Sequence, residues 1–242
     1  MKLIFATGNA GKLREAREIL GPGFEVLSPM EAGLGPEALD VEETGSTFAE
    51  NAYIKAAHVR SGLPVFADDS GLEVDALGGE PGIYTARYAS IGAGAEQLPT
   101  YATATHGITP KITDFRGPHM PAQKTPSEAL RPCQSINTAN ITKLLRNLKA
   151  AGAVTPKERK ARFRCAVALI IDGEVQRFEG SCEGHIADEP AGDGGFGYDP
   201  VFVADAFPDR TLAQVPEDDK NGISHRGEAL RKMAEWLSRH AS

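Results

Sequence analysis

The sequence predicts an α/β fold: a mixed, twisted β-sheet flanked by helices. Two observations predict it. Early in the chain, short apolar runs of strand type alternate with apolar residues at helical spacing, each change marked by glycine or proline. In the second half, Asp172-Gly173 sits between two strand-like runs, as a tight β-hairpin requires. The hairpin favours a mixed sheet over a fully parallel one.

The first unit is strand, glycine loop, helix. Residues 3–6 form a short buried strand closed by Thr7-Gly8-Asn9, and Leu13, Ala16 and Leu20 then recur at helical spacing until Gly21-Pro22-Gly23. A second strand is expected over 24–27. Thr47 with Glu50 reads as a capping box, and Phe48, Ala52, Ala56 and Val59 give the following helix its apolar stripe. Thr47, Asn51 and Lys55 lie four apart and share a polar stripe on that helix. Residues 64–67 read as a strand running into Asp68-Asp69-Ser70-Gly71, taken as a turn.

Residues 91–139 differ in kind. They are rich in Pro, Thr, Ala and Gly, hold no sustained period, and read as an irregular insertion within one domain spanning 1–242. A short helix is expected near Asn140, with Ile141, Leu144, Leu145 and Leu148 on its apolar face. Phe163, Cys165, Val167, Leu169 and Ile171 alternate as one face of a strand, and 175–180 return as its partner. A glycine-rich loop over 192–197 leads into a strand over 201–203. The chain closes on an amphipathic helix with Ala229, Leu230, Met233, Trp236 and Leu237 inward.

Bulk properties exclude several classes. A formal net charge of −7 argues against a surface that holds nucleic-acid backbone nonspecifically. No stretch approaches the roughly 18 apolar residues of a membrane span. The three cysteines form no C-x-x-C pair and read as reduced thiols, so a cytoplasmic location is expected.

Several polar groups could carry chemistry. The loop Thr7-Gly8-Asn9-Ala10-Gly11-Lys12 precedes a helix N-terminus, where unpaired amides and close backbone approach suit a phosphate. Lys12 opposes the helix dipole there, which a bound anion would explain; taken alone, a plain turn with a solvated lysine is the commoner meaning of such a loop. Asp68-Asp69 suits a hard cation such as Mg²⁺, completed by water and substrate phosphate, or merely an Asx turn. Glu42-Glu43 could add a ligand or favour the nearby helix N-terminus. Lys220, Ser224, His225 and Arg226 cluster near the last helix as donors for a base or phosphate. Phe196 among glycines offers a stacking surface or fills the core. His58, His106, His119 and His185 show no metal-ligand spacing.

The order of these motifs closely resembles the inosine-triphosphate pyrophosphatase family. The matching segments begin with residues 7–12 (TGNAGK), Glu42-Glu43-Thr44-Gly45, Thr47-Phe48, Glu50-Asn51-Ala52 and residues 67–72 (ADDSGL). They continue with residues 78–84 (GGEPGIY), Ala86-Arg87-Tyr88, residues 194–200 (GGFGYDP) and residues 220–226 (KNGISHR). They cover residues 1–90 and about 140 onward.

The resemblance implies an elongated, two-lobed fold with the active-site cleft between the lobes, usually as a homodimer. It implies Mg²⁺-assisted hydrolysis of deaminated purine nucleoside triphosphates to monophosphate and pyrophosphate; charge and hydropathy add the expectation of no nucleic-acid or membrane partner. Asp69 is the implied general base or metal-organising carboxylate, with Glu43 or Glu42 as a further metal ligand. Thr7, Gly8, Asn9, Ala10, Gly11, Lys12, Lys55 and Lys220 would hold the triphosphate. Ser70, Phe196, Gly197, Tyr198, Asp199, His225 and Arg226 would line the nucleoside. Two departures stand out: the proline-rich stretch, which replaces a shorter acidic connection, and Gln214, where the family tends to have Glu. Rival readings are a pyrophosphatase for modified pyrimidine nucleotides of the related septum-inhibitor family, and a nucleotide sensor without turnover.

Overall fold

The computed structural model describes residues 1–91 and 131–240. In chain order the elements are β1 (Lys2–Phe5), α1 (Ala10–Leu20), β2 (Glu25–Leu27), α2 (Phe48–His58), β3 (Val65–Val74), α3 (Arg131–Ala150), β4 (Lys160–Ile171), β5 (Glu174–Ile186), β6 (Phe202–Ala204), α4 (Glu217–Gly222) and α5 (His225–His240). Short 3₁₀ segments lie at Pro36–Leu39, Asp75–Leu77, Gly82–Ser90 and Leu212–Gln214.

Among the described residues the strands form one six-stranded sheet in the order β2-β1-β3-β4-β5-β6. β1 pairs in parallel with β2 and β3, and every other pairing is antiparallel, so the sheet is mixed as expected. Asp172 and Gly173 both adopt positive φ, as the tight hairpin between β4 and β5 demands.

Side-chain alternation sends the strand residues to separate cores. On one face, Phe5, Phe66, Cys165, Val167 and Leu169 pack against α1 and against Ala229, Leu230, Met233 and Leu237 of α5. On the other, Ile4, Val65, Ala67 and Ala168 meet Ala52 and Ala56 of α2. A further core at the β6 end joins Leu72, Tyr88, Ile141, Leu144, Leu148, Tyr198 and Phe202. The long strands β4 and β5 therefore run from the core under α1 and α5 to the core at the β6 end.

Three local expectations are corrected. Residues 68–71 form no turn: β3 runs unbroken from Val65 to Val74, each residue paired with β4. Thr47 caps α2 through a bond from Glu50 N (3.1 Å), but the Glu50 carboxylate accepts from Ser46 N and Oγ instead of closing a box. The helix expected near Asn140 is already present at Arg131, nine residues earlier and inside the stretch read as irregular. Residues 92–130, with His106 and His119, lie outside the described residues. Gln214 completes a capping box with Thr211, its Oε1 accepting Thr211 N at 3.0 Å, so the amide does what a carboxylate would do there.

Candidate active site

The site begins where β1 hands the chain to α1. Asn9 caps the helix, its Oδ1 accepting from Gly11 N (2.8 Å) and Lys12 N (3.1 Å), and Thr7 Oγ1 accepts Asn9 N (3.2 Å). The amides of Gly11 and Lys12, expected to face phosphate, are thus already satisfied. The cap leaves Gly8 and Ala10 as the loop's donors for an anion.

Lys12 has its anion within the protein. Its Nζ donates to both carboxylate oxygens of Asp68 at 3.0 Å. Arg226 Nε reaches the same carboxylate at 2.9 Å, while its other nitrogens donate to Glu15 Oε2 (2.7 Å) and Ser70 Oγ (3.3 Å). Burial alone would raise the Asp68 pKa, but Lys12 and Arg226 override it and hold the carboxyl well below the usual range. Burial would likewise lower Arg226, yet Asp68 and Glu15 keep it firmly protonated.

Asp69 faces the opposite side. Period-two alternation turns it toward α2, where Asn51 Nδ2 donates at 3.2 Å and Lys55 Nζ at 3.0 Å. The polar stripe Asn51–Lys55 therefore meets one carboxylate, as its four-residue spacing allows. Burial pushes the Asp69 pKa up, outweighing Lys55. Burial would depress Lys55, but Asp69, Asp68 and Glu43 raise it, so this lysine stays charged.

Glu43 Oε2 lies 3.3 Å from Lys55 Nζ, so Glu43 and Asp69 converge on one positive charge. Gly45 makes this approach feasible: its amide donates to Asn51 Oδ1 at 2.8 Å, and a Cβ there would come within 2.6 Å of the same oxygen. Glu42 is exposed and makes no contact with the cluster. Two carboxylates, one of them solvent-exposed, fit Mg²⁺, which takes one or two such ligands and fills its octahedron with water and phosphate. Among the described residues no three His, Cys, Asp or Glu side chains form a ready-made metal cage. Asp68, on the other face and saturated by cations, does not belong to this donor set.

The remaining predicted residues form a second group. Lys220, on α4 and not at the start of the last helix, donates to Asp199 Oδ2 at 3.1 Å and sits 5.3 Å from the centroid of Phe196. Asp199 Oδ2 also accepts Phe196 N at 3.0 Å, which folds the loop through Gly195 and Gly197, both at positive φ. Phe196 is 70% exposed and free to stack; Tyr198 is 2% exposed, in the core, with its hydroxyl donating to Thr85 O at 3.1 Å. The Tyr198 side chain is thus part of the core and offers no exposed ring.

His225 opens α5. Ser224 Oγ accepts Gly227 N (2.8 Å) and donates to Glu15 Oε1 (3.0 Å). The helix start presses on Gly180 of β5, where a Cβ would collide with the His225 carbonyl and lie 2.8 Å from Ala229 N. The imidazole stacks on Phe163, 5.2 Å between centroids and 15° between planes. Burial first, then the neighbouring Arg226 charge, push its pKa down to about 3, so the ring is neutral near pH 7.

Sequence reasoning missed Glu15, which joins α1 to Ser224 and Arg226. Its one local signal is a position three after Lys12 on the same helix face. A separate cleft of about 720 Å³, lined by residues 44–49, 78–84, Arg164 and Glu179, contains none of the predicted ligand residues.

The comparisons agree with the motifs. The model of the Ham1 family matches residues 3–108 and 126–236. The chain is 41% identical over 240 residues to the dITP/XTP pyrophosphatase of Bacillus licheniformis, covering 98% of this chain and 97% of that relative. It is also 41% identical to the dITP/XTP pyrophosphatase of Aquifex aeolicus, covering 98% and 96% of the two. Among solved structures, a HAM1 protein from Coxiella burnetii superposes with a TM-score of 0.72 at 33% identity over 99% of both chains. The Staphylococcus aureus Ham1 protein gives 0.69 at 34%, again over 99% of both. With its motifs, its fold and nearly its whole length matched, this chain belongs to the Ham1 family.

Proposed function

We propose that this protein hydrolyses deaminated purine nucleoside triphosphates (ITP, dITP and XTP) to the monophosphate and pyrophosphate, and so cleanses the nucleotide pool. The observation that carries the reading is Asp69, oriented by Asn51 and Lys55 and converging with Glu43, in a family whose relatives are named dITP/XTP pyrophosphatases.

Asp69 and Glu43 would hold Mg²⁺, which when bound neutralises phosphate charge and makes water a better nucleophile. Asp69 takes the proton of the water that attacks the α-phosphorus; its raised pKa suits it to accept one. Lys55 stays protonated and stabilises charge on the phosphates. Lys12 adds a donor, since two of its three N–H groups suffice for Asp68. Lys220 approaches from the opposite group with Phe196, whose free face stacks on the purine. Neutral His225 and the buried Arg226 fix the donor pattern near the base. A site built on hydrogen bonds to a 6-oxo group disfavours adenine's 6-amino group by on the order of 10⁴-fold.

The proposal places the enzyme in the cytoplasm as a homodimer acting on free nucleotides. Among the described residues no helix is long and apolar enough to cross a membrane. The test is a panel of ITP, XTP, dITP, GTP, ATP and a modified UTP with Mg²⁺, scoring pyrophosphate against orthophosphate. Pyrophosphate from the first three is expected. A preference for modified UTP, or ITP binding with no pyrophosphate released, would replace this reading.

A further inference from the structure

β3 loses its neighbour on one edge just before it reaches Asp69. β1 pairs with β3 only at Ile4↔Val65 and Phe5↔Phe66, and Ala6 N donates to Phe66 O (2.8 Å) as the last rung. From Asp68 to Leu72 β4 alone pairs with the strand, until Val74 N donates to Glu80 O (3.1 Å) and Glu73 bridges Pro81 on the open side. By the strand's period of two, the backbone groups of Asp68, Ser70 and Leu72 turn toward the open edge.

One side chain closes it. Leu72 N donates to Thr85 Oγ1 at 2.9 Å, and the Thr85 hydroxyl donates onward to Gly82 O at 2.6 Å. Thr85 is itself anchored, because its carbonyl accepts Tyr198 OH (3.1 Å) and Asn140 Nδ2 (3.4 Å). Asn140 is buried on α3 and accepts Ala89 N at 2.7 Å. Beneath this arch lies Gly71, on the same strand face as Asp69. A Cβ at Gly71 would run into Thr85 Oγ1 and come within 2.6 Å of Gly82 O and 2.9 Å of Phe48, the first residue of the helix that carries Asn51 and Lys55.

We infer that Thr85 is a positioning residue, its hydroxyl standing in for the missing strand and holding the Asp69 carboxylate against Asn51 and Lys55. The inference rests on the reading of Asp69 given above. Thr85 makes no bond to Asp69 or Lys55, so its effect passes through the backbone of Leu72 and Gly71. Loosening that edge lowers the fraction of time Asp69 spends aligned, and it touches no group that binds the nucleotide.

The test uses the full chain. Thr85→Val keeps the shape and removes the hydroxyl; Thr85→Ser keeps the hydroxyl. The valine variant is expected to lower kcat for ITP about tenfold, with KM held within about twofold and faster hydrogen exchange at the Leu72 amide. Serine should restore kcat and protection. Thr85→Ala carries the same expectation as valine should valine not fold. Wild-type kcat in the hydroxyl-free variant, a change in KM alone, or an equal loss in the serine variant overturns the inference. Asp69→Asn, assayed beside them, separates the two failures. An active Asp69→Asn protein defeats the reading of Asp69, whereas an inactive one beside a fully active Thr85→Val defeats only the role of Thr85.

Discussion

Asp68 and Asp69 are consecutive in β3 and serve opposite faces of the sheet. Asp68 is an internal anion that ties Lys12 on α1 to Arg226 on α5. Asp69 meets Asn51 and Lys55 on α2 and is raised in pKa rather than lowered. An adjacent acidic pair that reads as one cation site is thus a structural carboxylate beside a candidate catalytic one.

The pair should separate by mutation. Asp68→Asn leaves two cations without their buried counter-charge and is expected to cost about 3 kcal/mol of stability. Asp69→Asn should abolish turnover while leaving stability equal or higher, because burial already disfavours that charge. Urea unfolding of both variants with a pyrophosphate assay checks this. A larger stability loss for Asp69→Asn than for Asp68→Asn would contradict the division.

Stability should carry the signature of His225. Its folded pKa is depressed to about 3, against about 6.5 in the unfolded chain. Below about 6.5 the unfolded chain therefore binds a proton the folded one does not. The neutral-ring contribution is complete above about pH 6.5 and is lost as pH falls toward 3, by at most about 1.4 kcal/mol per pH unit. Relative to His225→Asn, the wild-type protein should lose stability between pH 7 and pH 5. A gap between the two that stays constant over this range refutes the assignment.

The buried thiols should be inert. Burial, with nearby carboxylates, pushes the Cys182 thiol up to about 11, and burial raises Cys165 further. In a Cys133→Ser background at pH 7.5, a disulfide reagent should label neither cysteine until denaturant is added. Rapid labelling of the folded protein would show that one of them is reachable.

Local order was legible in the sequence because it rests on neighbouring residues. The apolar stripe of α5, the Asp172-Gly173 hairpin, the Thr47 cap and the Asn51–Lys55 face all follow from periods of 3.6 and 2 and from turn chemistry. The motif order, read as a family resemblance, pointed to the family that the comparisons show. Where local reading failed, the cause was distant. Asp68-Asp69-Ser70-Gly71 looks like a turn because carboxylates and glycine rarely sit inside a central strand. They do so here because Lys12 and Arg226 offset the desolvation of Asp68, and Thr85 closes over Gly71.

The sequence by itself determined most of the helices and strands, which of their faces turn inward, and which polar residues belong to one motif set. Tertiary structure alone decided their partners. It spent Lys12 on Asp68, 56 positions away, and Arg226 on Glu15, 211 positions away. It buried Tyr198, left Phe196 free, and brought Glu43 rather than Glu42 to Lys55. The reason is physical: periodicity fixes the direction of a side chain relative to its own element, whereas ion pairing depends on how separate elements pack across the sheet. That packing is set by the cores on its two faces, which no local pattern encodes.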